Sequence, residues 1–244
     1  MTNQYSQSLV PYADRSFQAC LFDMDGTLLT SIESAERVWS RWLRAHDLDP
    51  VVILPTIHGV QTIETITRLG IPGIDPRTEA AWIAREEAID LDGVRAIEGA
   101  AEFVAGLPDD GWAIVTSATA AYAHVGFASA ALCAPPQHFI TGDICARGKP
   151  DPLPYLLGAE RVGVDAKRCV VVEDAPAGVR SGRAAGAHVI GLCTTHAERS
   201  MWEAGADWVV QDLASVSAAW EGDELVLSID GRQRPADVAA PHHA

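Results

Sequence analysis

Short, unbroken apolar runs that each stop on a polar residue are the feature that most narrows the fold of this chain. Ala19-Cys20-Leu21-Phe22 stops at Asp23, Trp112-Ala113-Ile114-Val115 at Thr116-Ser117, and Cys169-Val170-Val171-Val172 at Glu173-Asp174. His188-Val189-Ile190-Gly191-Leu192 is a fourth run, with shorter candidates at 138–141 and 207–210. Continuous apolarity over so few residues fits a strand buried on both faces. Alanine-rich segments of helical length lie between the runs, at about 99–107, 119–130, 152–163, 176–186 and 198–204. Strand and helix in alternation predict a parallel sheet covered on both sides, that is, an α/β, doubly wound, Rossmann-like core. Ligands of such sheets bind at the carboxyl ends of the strands, so the polar stops become the candidate site.

The stretch 31–97 has another texture. Its apolar residues recur at three and four, with Ile32, Ala35, Trp39, Trp42 and Leu43 on one helical face and Ile63, Ile66 and Leu69 on another that ends at Gly70 and Pro72. Asp75-Pro76 is a cap followed by a first-turn proline. The pattern predicts an all-helical insert between 17–30 and 98–217, the two parts of the core. Residues 1–16 lack periodicity and are expected to be a flexible N-terminus, and 218–244 a terminal edge strand at Leu225–Ile229 followed by a mobile tail.

The 244 residues carry 18 Lys plus Arg against 33 Asp plus Glu, a net −15, which argues against nucleic acid and anionic lipid as partners. No run approaches the roughly 18 apolar residues of a membrane span, and the first residues lack a basic start and apolar centre, so a cytoplasmic protein is expected. The five cysteines, Cys20, Cys133, Cys145, Cys169 and Cys193, are odd in number and never spaced as CxxC, which predicts free thiols rather than disulfides or zinc.

Asp23-Met24-Asp25-Gly26-Thr27 closes the first run. With each fixed type at about 6%, chance supplies D-x-D-G-T in only a few per thousand chains of this length. Here the sequence resembles the haloacid dehalogenase-like superfamily, whose phosphatases open with this motif on the first strand. Three further signatures follow in order at later strand ends: Thr116-Ser117, Lys149 in Gly148-Lys149-Pro150-Asp151-Pro152, and Glu173-Asp174 in Val171-Val172-Glu173-Asp174-Ala175-Pro176-Ala177-Gly178. The resemblance covers about 17–215 and is nearest to phosphatases of 2-deoxyglucose 6-phosphate, glycerol phosphate and hexitol phosphates.

That resemblance implies a phosphomonoesterase of a small sugar or polyol phosphate, requiring Mg²⁺ and passing through an aspartyl-phosphate. Asp23 is implied as the nucleophile, Asp25 as the acid and base, and Ser117, or less readily Thr116, as the hydroxyl that binds phosphate beside Lys149. Asp23, Asp174, the Asp25 carbonyl and Glu173 are implied as metal ligands. The physics agrees, because a carboxylate approaching a phosphate dianion at about 3.5 Å meets repulsion on the order of 10 kcal/mol at an effective dielectric near 20, so local cations are needed. The helical insert falls where one branch of the family has a cap over the site. His58, Gly59 and Gln61, in Ile57-His58-Gly59-Val60-Gln61-Thr62, look like the cap's substrate loop. A phosphomutase of the β-phosphoglucomutase kind is the nearest rival, although the arginine that such enzymes carry near Thr62 is absent. A phosphoglycolate phosphatase and a catalytically silent phosphate-binding regulatory module are the other readings. The partner is expected to be a small phosphorylated metabolite, and the protein a monomer or small homo-oligomer.

Overall fold

The computed structural model describes residues 17–57, 60–132, 135–222 and 224–233. Strand β1 (Ala19–Phe22) shows why the apolar runs behave as they do: Ala19 and Leu21 join one apolar cluster, while Cys20 and Phe22 join another on the opposite face. Alternate residues leave a strand on opposite sides, so a run buried on both must be apolar throughout.

Beyond Asp23, β2 (Leu29–Thr30) leads out to the insert and β3 (Arg95–Ala96) leads back, Leu29 standing opposite Ala96 and Thr30 opposite Arg95. This two-residue ladder at the root of the insert departs from the all-helical expectation; it is too short to leave a period in the sequence. The insert itself consists of α1 (Ile32–Ala45), α2 (Pro50–Ile53), α3 (Thr62–Leu69) and α4 (Pro76–Ile89). Asp75 starts α4 by accepting from the backbone N–H of Arg77 and Thr78, and Gly70 ends α3 in the left-handed conformation. Val38, Trp39, Trp42, Leu43, Ile57, Ile66 and Ile83 form an apolar cluster of the insert's own.

The rest of the chain alternates as its pattern predicts: α5 (Ala100–Ala105), β4 (Trp112–Val115), α6 (Ala120–Ser129), β5 (Phe139–Ile140), α7 (Leu153–Arg161), β6 (Cys169–Glu173), α8 (Pro176–Ala184), β7 (His188–Leu192), α9 (Glu198–Ala204) and β8 (Trp208–Val210). Strands β9 (Val216–Glu221), β10 (Glu224–Ile229) and β11 (Arg232–Gln233) follow. The main sheet runs β11-β8-β7-β6-β1-β4-β5, parallel except for β11. Successive strands proceed from β1 to β4 and β5 on one side, then cross back to β6 on the other. The strand order therefore reverses at the β1–β6 boundary, where an open α/β sheet leaves a crevice.

The expected terminal edge strand is placed differently. Leu225–Ile229 lies in β10, which pairs with β9 in a separate hairpin, and the antiparallel edge of the main sheet is β11. Leu225, Leu227 and Ile229 are buried while Glu224 and Ser228 are exposed, so this strand has one apolar face and suits a hairpin laid on the core. Cys20, Cys145, Cys169 and Cys193 are free thiols. Among the described residues no helix is long and apolar enough to cross a membrane. The expectations for 1–16, Cys133 and 234–244 lie outside the described residues.

Candidate active site

The end of β1 is tied to β6 by a hydrogen bond of 3.0 Å from the Asp23 N–H to the Val172 carbonyl, which brings Asp23 beside Glu173 and Asp174. The chain then turns at Gly26, with φ of +90°. A Cβ on Gly26 would stand 2.2 Å from Asp174 Oδ2, so the turn needs a residue without one on both conformational and spatial grounds.

Lys149 reaches this point from the loop between β5 and α7. Its Nζ donates to Asp23 Oδ1 at 2.6 Å and to Glu173 Oε1 at 2.7 Å, with only 3% of its side chain exposed. Glu173 also accepts from Tyr155 OH at 2.8 Å and from the Ala175 N–H at 3.0 Å. Asp174 accepts from Thr27 Oγ1 at 3.3 Å and from Thr195 Oγ1. Carboxylate oxygens of Asp23, Glu173 and Asp174 all lie within 4.8 Å of one another.

Burial raises the Asp23 carboxyl well above the ordinary range against the pull of Lys149, and the charges of Glu173 and Asp174 add to the rise. Asp174 is pushed up to about 7, first by burial and then by Glu173. Burial alone would lower the Lys149 ammonium, but the adjoining charges of Asp23 and Glu173 outweigh it and raise the group instead. Three carboxylates face a single ammonium, so full ionisation leaves an excess of two negative charges in a water-poor site. A hard divalent cation could balance that excess, since an all-oxygen donor set is the kind such ions take. Asp23 and Asp174 are the carboxylates with room for it, because Glu173 already accepts three hydrogen bonds.

Asp25 sits beside this cluster without joining it. Its Oδ1 accepts from Ser31 Oγ at 2.5 Å and Tyr122 OH at 3.1 Å, and burial outweighs both bonds to raise its carboxyl above the ordinary range. Asp23, Asp25, Thr116 and Ser117 form the floor of a cavity of ≈ 100 Å³ whose upper wall includes Trp39, Ile57, Val60 and Glu87 of the insert. The Thr116 hydroxyl accepts from the Ala118 N–H at 3.0 Å and so holds the turn after β4, next to Ser117.

Of the residues expected in the insert's substrate loop, His58 and Gly59 lie outside the described residues. Gln61 is placed across the seam, donating from Nε2 to the Gly142 carbonyl at 3.1 Å, which pins insert to core. Sequence reasoning passed over Ser31, Tyr122, Thr195 and Tyr155, which hold the acidic groups, and Glu87 in the cavity wall. For Glu87 a signal existed: it follows the buried Ile83 by four residues and so shares the inward face of α4.

The family model for haloacid dehalogenase-like hydrolases matches residues 17–186. The chain belongs to that family. Hexitol phosphatase A of Escherichia coli is 44% identical over 70% of this chain and 81% of its own. 2-Deoxyglucose-6-phosphate phosphatase 2 of Saccharomyces cerevisiae is 33% identical over 87% of this chain and 94% of its own. Among solved structures, a haloacid dehalogenase family hydrolase of Deinococcus radiodurans with bound phosphate and sodium superposes with a TM-score of 0.63 at 29% identity, covering 82% of this chain and 93% of that one. The expected family and the expected fold, a haloacid dehalogenase-type parallel sheet with an inserted cap, are thereby both met. In this haloacid dehalogenase-like hydrolase the cap is the helical insert that walls the cavity.

Proposed function

We propose that the protein is a Mg²⁺-dependent phosphomonoesterase acting on a small sugar or polyol phosphate. The observation that carries this reading is the convergence of Asp23, Glu173 and Asp174 within 4.8 Å, with Lys149 bound to Asp23, beneath a helical cap. The relatives named for hexitol and 2-deoxyglucose 6-phosphate turnover support the substrate class.

Asp23 attacks phosphorus in line, forming a bond from a carboxylate oxygen as the bond to the ester oxygen breaks. Asp25 transfers a proton to the departing oxygen and then takes one from the water that attacks the aspartyl-phosphate. That second attack releases inorganic phosphate and restores Asp23. Lys149 and the Ser117 hydroxyl hold the oxygens of the transferring group, and Glu173 positions Lys149. Asp23, Asp174 and the Asp25 carbonyl would hold Mg²⁺, which supplies positive charge against the phosphate when bound.

The test is hydrolysis of p-nitrophenyl phosphate with Mg²⁺ and after its removal by EDTA. We expect turnover only with the metal, and a fall of about 10³-fold or more in Asp23→Asn. Undiminished turnover in that variant would falsify the nucleophile assignment.

A further inference from the structure

We infer that Glu87, on cap helix α4, contacts the departing part of the substrate, bonding its hydroxyl groups and excluding a second anionic group. The inference rests on the phosphatase reading and narrows its substrate class to monoesters of neutral polyhydroxyl compounds.

Three observations carry it. Glu87 lines the same cavity as Asp23 and Asp25, on the wall contributed by the cap, so it faces whatever the phosphate is attached to. Its carboxyl is held by a helix rather than a loop: α4 packs on α6 of the core, and Glu87 lines the cavity together with Trp39 of α1. Finally, among the described residues that line the cavity there is no lysine, arginine or histidine; its polar groups are hydroxyls and carboxyls, including Ser31, Thr62, Ser117 and Tyr122. Among the described residues the nearby ammonium, that of Lys149, is bound to Asp23 and Glu173 on the phosphate side of the site and is not in the lining that faces the leaving group.

Hydroxyl groups of a sugar alcohol can be satisfied by such a wall. A carboxyl accepts from them when ionised and both donates and accepts when protonated. A carboxylate or second phosphate on the leaving group would instead be desolvated against Glu87 and Asp25, with no cationic side chain among the described lining residues to pair with.

The experiment compares substrates that differ only in this respect: glycerol 1-phosphate against 3-phosphoglycerate, and sorbitol 6-phosphate against 6-phosphogluconate. Each pair exchanges a terminal hydroxymethyl group for a carboxylate. In the Mg²⁺-loaded wild-type protein we expect kcat/KM to favour the alcohol by about 100-fold in the pair that turns over faster. Glu87→Gln should reduce the ratio by about tenfold, and Glu87→Lys should bring it to about one or reverse it. Circular dichroism establishes folding, and Glu87→Gln alone decides the matter where the lysine variant does not fold. Phosphate release with the same ratio in wild type and Glu87→Gln overturns the assignment of Glu87 while leaving the phosphatase reading in place. Absence of release by the wild type from both alcohols and from p-nitrophenyl phosphate overturns that reading and this inference together.

Discussion

Lys149 separates Asp23 from Glu173, and each side of that arrangement can be removed on its own. In Lys149→Met the two carboxylates stay buried but lose the ammonium that both accept from. Leaving a buried charge without its partner costs about 3–5 kcal/mol, so urea unfolding of the metal-free variant should show a loss of that order along with abolished phosphate release. Adding Glu173→Gln should recover part of the stability and none of the activity, because Gln can still accept from Tyr155 while one stranded charge disappears. The acidic groups were legible in the sequence since each ends an apolar run, as Asp23 and Glu173-Asp174 do. Their supports were not. Tyr122 meets Asp25 across 97 positions and Thr195 meets Asp174 across 21, and no local pattern marks a tyrosine or threonine for such a contact.

Helix α8 shows how an element can be shaped by the site beneath it. Alanine is better than glycine inside a helix by about 1 kcal/mol, which predicts that Gly178→Ala should stabilise. A Cβ there would fall 1.6 Å from Glu173 Oε1, however, and would displace the carboxylate that carries Lys149 and Tyr155. The clash should win, giving a net loss of about 2 kcal/mol in denaturant unfolding and a lowered kcat. At the other end of α8, Arg183 donates to both oxygens of Asp207, at 2.9 and 2.8 Å, and the Val189 N–H of β7 donates to Asp207 at 2.9 Å. Burial would raise Asp207, but the hydrogen bond with His188, the Val189 N–H and the charge of Arg183 hold it below the ordinary range. A carboxyl lowered on folding stabilises above its unfolded value and loses that contribution as pH falls through the folded one. Wild type should therefore exceed Asp207→Asn in stability at about pH 6, and the gap should shrink towards about pH 3, as read by urea titration. The elements themselves were readable in proportion to how far both faces are buried. Strands β1, β4, β6 and β7 stand where their apolar runs put them, whereas β10, with one apolar face, was legible as a strand but not as half of a hairpin, and the two-residue β2, β3 and β11 were too short to leave a pattern.

The whole molecule carries −15 and its proposed substrate is a phosphate dianion, so charge on the two scales has opposite effects. Far from the protein the substrate meets a repulsive field; attraction comes within the site, from Lys149 and the cation that the acidic cluster can hold. Salt acts unequally on the two. Exposed charges are screened beyond a Debye length, about 30 Å at 0.01 M and about 8 Å at 0.15 M, whereas the buried pairs of the site are screened far less. Raising ionic strength should thus weaken the repulsion more than the attraction. An enzyme that steers its substrate with a positive surface slows as salt is added. This one should do the reverse: kcat/KM for a sugar or polyol phosphate should rise about two- to fivefold when KCl is increased from about 0.01 to 0.15 M at saturating Mg²⁺. Because kcat refers to substrate already bound, it should stay nearly flat over the same range. Steady-state kinetics at the two ionic strengths check this, and a fall in kcat/KM would mean that cations outside the described cavity guide the substrate inward.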